Sequence, residues 1–189
     1  MIGIGREGCV IREGHQAYKI VYSKDDVAMN REVQVNNRIR SIDPEQKRFV
    51  VPSNTYRIDL GALERNRPNL YNVFVSRCLE SLDRPEFVYI GLMPVLQKLE
   101  DGLSGSQKAY VRDSIQLLHQ AGISHNDIHR DNVMIHNVDG TNYPVIIDFG
   151  RAGPIGEPIQ DDISQFESFF VSAPPALKRR RRRDDDEDY

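Results

Sequence analysis

Two β-type triplets, Val133-Met134-Ile135 and Val145-Ile146-Ile147, flank the polar stretch Asn137-Val138-Asp139-Gly140-Thr141-Asn142, and no other pattern constrains the fold as much. Short runs rich in β-branched residues on either side of an Asp-Gly step specify an antiparallel hairpin. A hairpin brings its ends together. Just before its first strand stand a carboxylate and an amide, Asp127 and Asn132; just after its second stands another carboxylate, Asp148.

An oxygen-only set of one carboxylate and one amide suits Mg²⁺, which keeps waters and shares phosphate oxygens with its substrate. The chemistry that fits is phosphoryl transfer, where a protein mainly positions groups and neutralises charge. The full segment is H-N-D-I-H-R-D-N-V-M-I-H-N-V-D-G-T-N-Y-P-V-I-I-D-F-G over residues 125–150. H-x-D-x-x-x-x-N followed by D-F-G resembles the catalytic and metal-binding segments of the protein kinase-like superfamily. By that resemblance Asp127 is the base that orients the acceptor hydroxyl, while Asn132 and Asp148 hold magnesium.

The N-terminus carries G-I-G-R-E-G-C-V, a G-x-G-x-x-G-x-V match beginning at Gly3. Glycines let the backbone approach phosphates with its N–H groups as ligands. Alone the motif is weak, since a glycine-rich start is as often a frayed turn. Its sequel adds weight: Cys9-Val10-Ile11, a turn at Arg12–His15, then Ala17-Tyr18-Lys19-Ile20-Val21. This is a strand-to-strand turn, which disfavours a dinucleotide-binding fold. Alternation alone would send Lys19 to solvent. A-Y-K-I resembles the superfamily's V-A-I-K, which implies that Lys19 meets the α- and β-phosphates of ATP and that Gly3, Ile4, Gly5, Gly8 and Val10 surround the nucleotide. The motif begins so close to Met1 that the first strand is nearly missing.

Residues 25–40 predict a helix, with Asp25 or Asp26 as N-cap and Met29, Val33 and Ile39 among its apolar positions. Glu32 lies on or beside that face; a solvated glutamate is the plain reading. The resemblance pairs it instead with Lys19. Pro44 ends this region, and Phe49-Val50-Val51-Pro52 predicts a strand broken at the proline. Ile58–Pro68 shows no clear period. Asn69–Arg77 and Glu86–Met93 are rich in β-formers and are expected to add strands, and a hinge is expected at Met93–Gln97. Ser104 or Ser106 caps a helix to about Gln120, stopped by Gly122.

His125 and His129 are spaced as zinc ligands would be on a helix, but Gly122 has already ended that helix, so His125 is expected to pack and shape the loop. His129 stands where protein kinases carry lysine and resembles the aminoglycoside-type small-molecule kinases. Between Gly150 and Asp161 there is no serine, threonine or tyrosine, and Asn126 replaces the arginine that would receive a phosphate. Activity is therefore expected to need no phosphorylation of this segment. Residues 161–171 predict a capped amphipathic helix with Asp162 as its anchor to the loop. Little chain follows to build a peptide platform, so a partner supplies it or the substrate is recognised otherwise.

The chain has 189 residues, a net charge of −3 and two cysteines. No bulk charge favours nucleic acid or membrane. Two cysteines do not make a disulfide framework, so an intracellular, reducing location is expected, with Cys9 a packed strand residue in preference to a reactive thiol. No apolar run reaches membrane-spanning length. The tail pairs a basic run, Lys178–Arg183, with an acidic block; it reads as a solvated, self-neutralising segment, with nuclear import or nucleic-acid contact as the alternative.

These elements together imply an α+β, two-lobed protein kinase-like fold. Its parts are a β-rich nucleotide-binding lobe at 1–93, a reduced helical lobe at 94–172 and a disordered tail at 173–189. The expected cofactors are ATP and Mg²⁺, the expected acceptor a protein serine or threonine, and the closest likeness in size is to stripped-down viral or otherwise divergent kinases. A small-molecule kinase and a non-catalytic nucleotide-binding scaffold stay open as alternatives.

Overall fold

The computed structural model describes residues 3–4, 8–22, 25–79, 84–100, 102–154 and 160–171. Among the described residues it is a mixed α+β structure with several sheets and five α-helices. The chain opens with β1 (Gly3–Ile4), β2 (Gly8–Glu13) and β3 (Gln16–Val21). Helix α1 (Asp26–Ile42) follows, then β4 (Phe49–Val50), β5 (Ser53–Asp59), α2 (Leu60–Asn66), α3 (Pro68–Cys78) and β6 (Phe87–Pro94). Next come β7 (Gln97–Lys98), α4 (Gly105–Gln120), β8 (Ile123–Ser124), β9 (Val133–Val138), β10 (Thr141–Ile147), β11 (Gly153–Pro154) and α5 (Gln160–Phe166).

The largest sheet has the order β1-β2-β3-β6-β5, and a second has the order β4-β10-β9-β7. In the first, Gly14 at the β2–β3 turn takes a positive φ of 62°, open to glycine without strain. In the second, β9 and β10 form the expected hairpin, from Val138 opposite Thr141 to Val133 opposite Ile146. Asp139 and Gly140 both have positive φ at its turn, which matches the right-handed twist of the flanking strands.

Two apolar cores flank this arrangement. One packs α2 and α3 (Leu63, Leu70, Phe74) against Ile11, Ile20 and Ile90 of the first sheet. The other collects Val111, Ile115 and Leu118 of α4 with Ile128, Ile146, Phe149 and Phe166. Ile39 of α1 and Phe49 and Val51 also belong to this second core, and β4 pairs in parallel with β10. Residues 39–51 therefore serve the second core although they precede β6 in sequence.

Several expectations meet the structure here. Asp25 is the N-cap of α1, its carboxylate accepting from Ala28 N, and Ser104 forms a reciprocal capping box with Gln107 on α4. Pro52 separates β4 from β5, which join different sheets. Residues 69–77, expected as a strand, instead form most of α3. Val73 and Val75 favour β structure locally. Pro68 pre-sets the first helical turn, however, and Leu70, Tyr71, Phe74 and Cys78 fall on one buried helical face. Asp59 caps α2 in the stretch without a clear period. The final helix is shorter than expected: α5 gives way to a π turn at Glu167–Val171. Cys9 and Cys78 are joined as a disulfide, correcting the expectation of an unpaired, packed Cys9. With 69–77 taken as a strand, nothing placed Cys78 opposite Cys9. No helix among the described residues is long and apolar enough to cross a membrane. The expected tail at 173–189 lies outside the described residues.

Candidate active site

Lys19 lies on β3 between Gly91 of β6 and Val10 of β2. Its ammonium is 3.0 Å from Glu32 Oε1 of α1 and 2.9 Å from Asp148 Oδ1 beyond β10. Residues separated by 129 positions in sequence thus share one charge cluster. Glu32 is buried, whereas the Asp148 side chain is 51% exposed. Burial opposes the charge on Lys19, but the Asp148 and Glu32 carboxylates outweigh it and hold the ammonium well above its ordinary range. Burial likewise works against an ionised Asp148, and Lys19 outweighs it, so that carboxyl titrates below its ordinary value. Lys19 and Asp148 are therefore both charged at neutral pH.

Asp148 has φ 61° and ψ 72°, the left-handed region, and a 3₁₀ turn follows at Phe149–Arg151. Asp tolerates that conformation better than most residues because its short polar side chain can bond locally. The buried Phe149 ring packs edge-on against Phe49 and against the His125 ring. This apolar plug fixes where the strand ends and Asp148 begins.

The loop after α4 is built around Asp162. Its Oδ2 accepts from His125 N (2.8 Å), His119 Nε2 (2.8 Å) and Ser124 Oγ (3.1 Å), and its Oδ1 accepts from Asn126 N (2.7 Å). Burial works to raise the Asp162 pKa, but these donors, His119 first, outweigh it and lower the carboxyl below its ordinary value. Asn126 adopts a positive φ of 64° as the chain turns there. His125 is fully buried. Its Nε2 lies 2.9 Å from Ile147 O, a carbonyl that only accepts, so Nε2 carries the proton; Nδ1 then accepts from Asp127 N at 3.2 Å. Burial is the largest influence on this imidazole and lowers its pKa, keeping it neutral. The ring thereby joins the end of β10 to the backbone of Asp127, as the packing role expected for His125 requires.

Asp127 is set in this loop with its side chain 28% exposed, 3.3 Å from Arg151 Nη1 and 3.7 Å from His129 Nε2. Arg151 was missed at the sequence level, its only signal being its place directly after D-F-G. Asn132 is buried, and its amide nitrogen donates to Asp127 O at 3.0 Å. Because a carbonyl cannot donate, the nitrogen must be the atom at that contact, which leaves Asn132 Oδ1 as an acceptor for another partner. Beside Asp127 opens a cavity of about 520 Å³ lined by Ile128, His129, Arg130, Asp131, Gln165 and Phe169.

At the other end, β1 pairs with β2 through Gly3 opposite Val10 and Ile4 opposite Cys9. A Cβ at Gly8 would lie 2.3 Å from Ile20 O, so the chain can leave this turn only with glycine there. Gly5 lies outside the described residues. Between the two large sheets sits an apolar cluster of Ala17, Val50, Met93 and Val145, with Val10, Met134 and Ile147 packed against it. Of these, Val10 was expected beside the nucleotide and Met93 at the hinge.

A sequence profile of the phosphotransferase enzyme family (APH) matches residues 38–189. The chain belongs to this family. Family membership makes it a kinase-type enzyme of the protein kinase-like and aminoglycoside kinase superfamily, whose members use ATP and typically a divalent metal. The matched span includes Asp127, Asn132, Asp148 and Asp162 and begins after Lys19 and Glu32. No curated protein matches the chain.

Proposed function

We propose that this family member transfers the γ-phosphoryl group of ATP to a hydroxyl. The observation that carries the reading is the joining of Lys19, Glu32 and Asp148 within 3.0 Å, which brings the glycine-rich N-terminal strands against the D-F-G turn. The first sheet with α1, α2 and α3 forms the nucleotide-binding lobe of this reading, and the second sheet with α4 and α5 forms the catalytic lobe. The apolar cluster from Val10 to Ile147 suits the flat face of adenine, while Gly3, Ile4 and Gly8 offer backbone N–H groups to the phosphates.

Asp148 and Asn132 fit a magnesium ion: both present hard oxygens, Asn132 Oδ1 is its free acceptor, and Asp148 is half-exposed. When bound, the ion neutralises phosphate oxygens. Lys19, positioned by buried Glu32, holds an α- or β-phosphate oxygen. Asp127 accepts the hydroxyl proton of the acceptor, and His125 and Asp162 fix the backbone that carries it.

The acceptor enters beside Asp127. A cavity of about 520 Å³ is the size of a small-molecule site, which favours a small hydroxylated acceptor. The expected protein serine or threonine acceptor is supported by Phe169, which lines the same cavity and is 42% exposed, as a docking surface for a chain requires. Label transfer from γ-labelled ATP to a panel of small alcohols and to protein extracts, with wild type beside Asp127→Asn, tests both. Transfer is expected from wild type alone. Equal transfer by Asp127→Asn would remove the assigned base, and none to either panel would sink the function.

A further inference from the structure

Both N–H groups of the Asn132 amide end on the loop that carries Asp127. One donates to Asp127 O at 3.0 Å, and His129 Nε2 lies 3.0 Å from the same nitrogen. Because the first contact fixes that atom as nitrogen, Nε2 is the acceptor in the second. The other ring nitrogen, Nδ1, is 3.2 Å from a second donor, Asp131 N. An imidazolium would meet both donors with protons, so the ring carries one proton and offers one lone pair. Asn132 is buried and has no solvent to replace a lost bond, whereas Asp131 stands at the surface, its side chain 90% exposed. The lone pair therefore goes to Asn132 and the proton to Nδ1.

We propose that His129 is a positioning residue for the metal-binding oxygen of Asn132. The inference rests on the reading of Asn132 as a magnesium ligand. Two bonds, to Asp127 O and to His129 Nε2, fix the plane of the amide, and Oδ1 has no partner among the described residues. The ring is held in its turn: it lies edge-on to Phe169, and His129 O accepts from Asn132 N at 3.0 Å. With His129 removed, one bond is left to hold the amide, which then turns about its Cβ–Cγ axis and loses the preset direction of Oδ1.

The same tautomer serves the base. Nε2 is 3.7 Å from Asp127 Oδ2 but has no proton to give it, while Arg151 lies 3.3 Å from Oδ1. Oδ2 is left for the acceptor hydroxyl.

The test compares the full-length wild type with His129→Phe, which keeps the ring and removes the acceptor, and with His129→Gln, whose Oε1 restores an acceptor near the Nε2 position. His129→Leu stands in if the phenylalanine variant does not fold. Mn²⁺ affinity in the presence of a non-hydrolysable ATP analogue is read by electron paramagnetic resonance, and affinity for the analogue without metal by calorimetry. His129→Phe is expected to bind Mn²⁺ ~10–100-fold more weakly, the usual effect of removing a group that orients a ligand. His129→Gln is expected within ~3-fold of wild type, and the metal-free affinity should be alike in all three. Nitrogen-15 NMR of the metal-free wild type should find the proton of the His129 ring on Nδ1. A ring protonated at Nε2 would overturn the proposal, as would equal Mn²⁺ affinities in wild type and His129→Phe. So would a glutamine variant as weak as the phenylalanine one, or an equal loss of metal-free affinity, since either outcome makes His129 a merely structural residue. Each of these leaves the metal reading standing, whereas a wild type that binds no Mn²⁺ with the analogue overturns that reading and the proposal with it.

Discussion

Replacing Lys19 by methionine separates what the charge cluster does for folding from what it does for catalysis. At about 3 Å and an effective dielectric of ~20, each carboxylate attracts the ammonium by roughly 5 kcal/mol before desolvation is charged against it. The two carboxylates respond differently to losing their partner. Asp148, with half its side chain in water, rehydrates at little cost. Glu32, only 3% exposed at its side chain, loses the ammonium 3.0 Å away and cannot rehydrate as Asp148 does. Breaking a buried pair costs about 3–5 kcal/mol, and relaxation toward the nearby cleft brings the expected loss to ~2–4 kcal/mol. For a chain of this size each kcal/mol lowers the Tm by ~2–4 °C, so Lys19→Met should melt roughly 5–15 °C below wild type. Its kcat/KM should fall ~100–1,000-fold, the usual cost of removing one preorganised donor to transferring charge. The double variant Lys19→Met/Glu32→Met removes the buried carboxylate as well and places apolar side chains beside Val21, Met29 and Pro52. It should regain most of the lost Tm and none of the lost turnover. Differential scanning calorimetry and a coupled ADP-release assay read the two quantities. A double variant as unstable as the single one, or one that recovers turnover, would refute the separation of roles.

Asp148→Asn keeps a side chain suited to positive φ while removing the charge, so it should melt within a few degrees of wild type yet lose at least ~100-fold in turnover; normal turnover would end the metal assignment. Asp162→Ala strips acceptors from His125 N, Asn126 N and His119 Nε2 and should cost ~3–5 kcal/mol in urea unfolding. Because the Asp162 pKa is lowered on folding, its contribution is full above pH ~4 and fades as pH falls through the lowered value. The gap between wild type and Asp162→Asn should therefore narrow in acid; a gap constant down to pH 2 would contradict this. His125 has a dependence of the same sign in a higher pH range: its pKa also falls on folding, so stability drops as pH falls through 6.5, where the unfolded chain takes up the proton first. Histidine-selective NMR should find a His125 midpoint below 6.5, and one above it would mean that the ring is not held neutral between Ile147 and Asp127.

The parts of this site that could be read from the chain are those whose geometry is local. The β9–β10 hairpin follows from alternation and an Asp-Gly turn, and the caps of α1 and α4 follow from Asp25 and Ser104, because each depends on contacts within a few residues. The same hairpin placed Asp148 beside Asp127 and Asn132, whereas Lys19 and Glu32 were reached only through motif resemblance; periodicity would have pointed the lysine at water. What escaped depends on distant partners. Val73 and Val75 mark a strand by propensity, yet 69–77 is helical because burying Leu70, Phe74 and Cys78 against β2 outweighs a few tenths of a kcal/mol of local preference per residue. That single misplacement also hid the Cys9–Cys78 bond, since a strand there would not have faced β2. Arg151 against Asp127 escaped for a similar reason: the left-handed turn at Asp148 swings the following residues back toward the loop, and no spacing rule encodes that turn. The charge cluster illustrates the same division. Its members sit on three elements that each fold by local rules, while the 2.9 Å contact between Lys19 and Asp148 exists only because both cores are packed at once. Loss of either core should therefore silence the site before it unfolds the other.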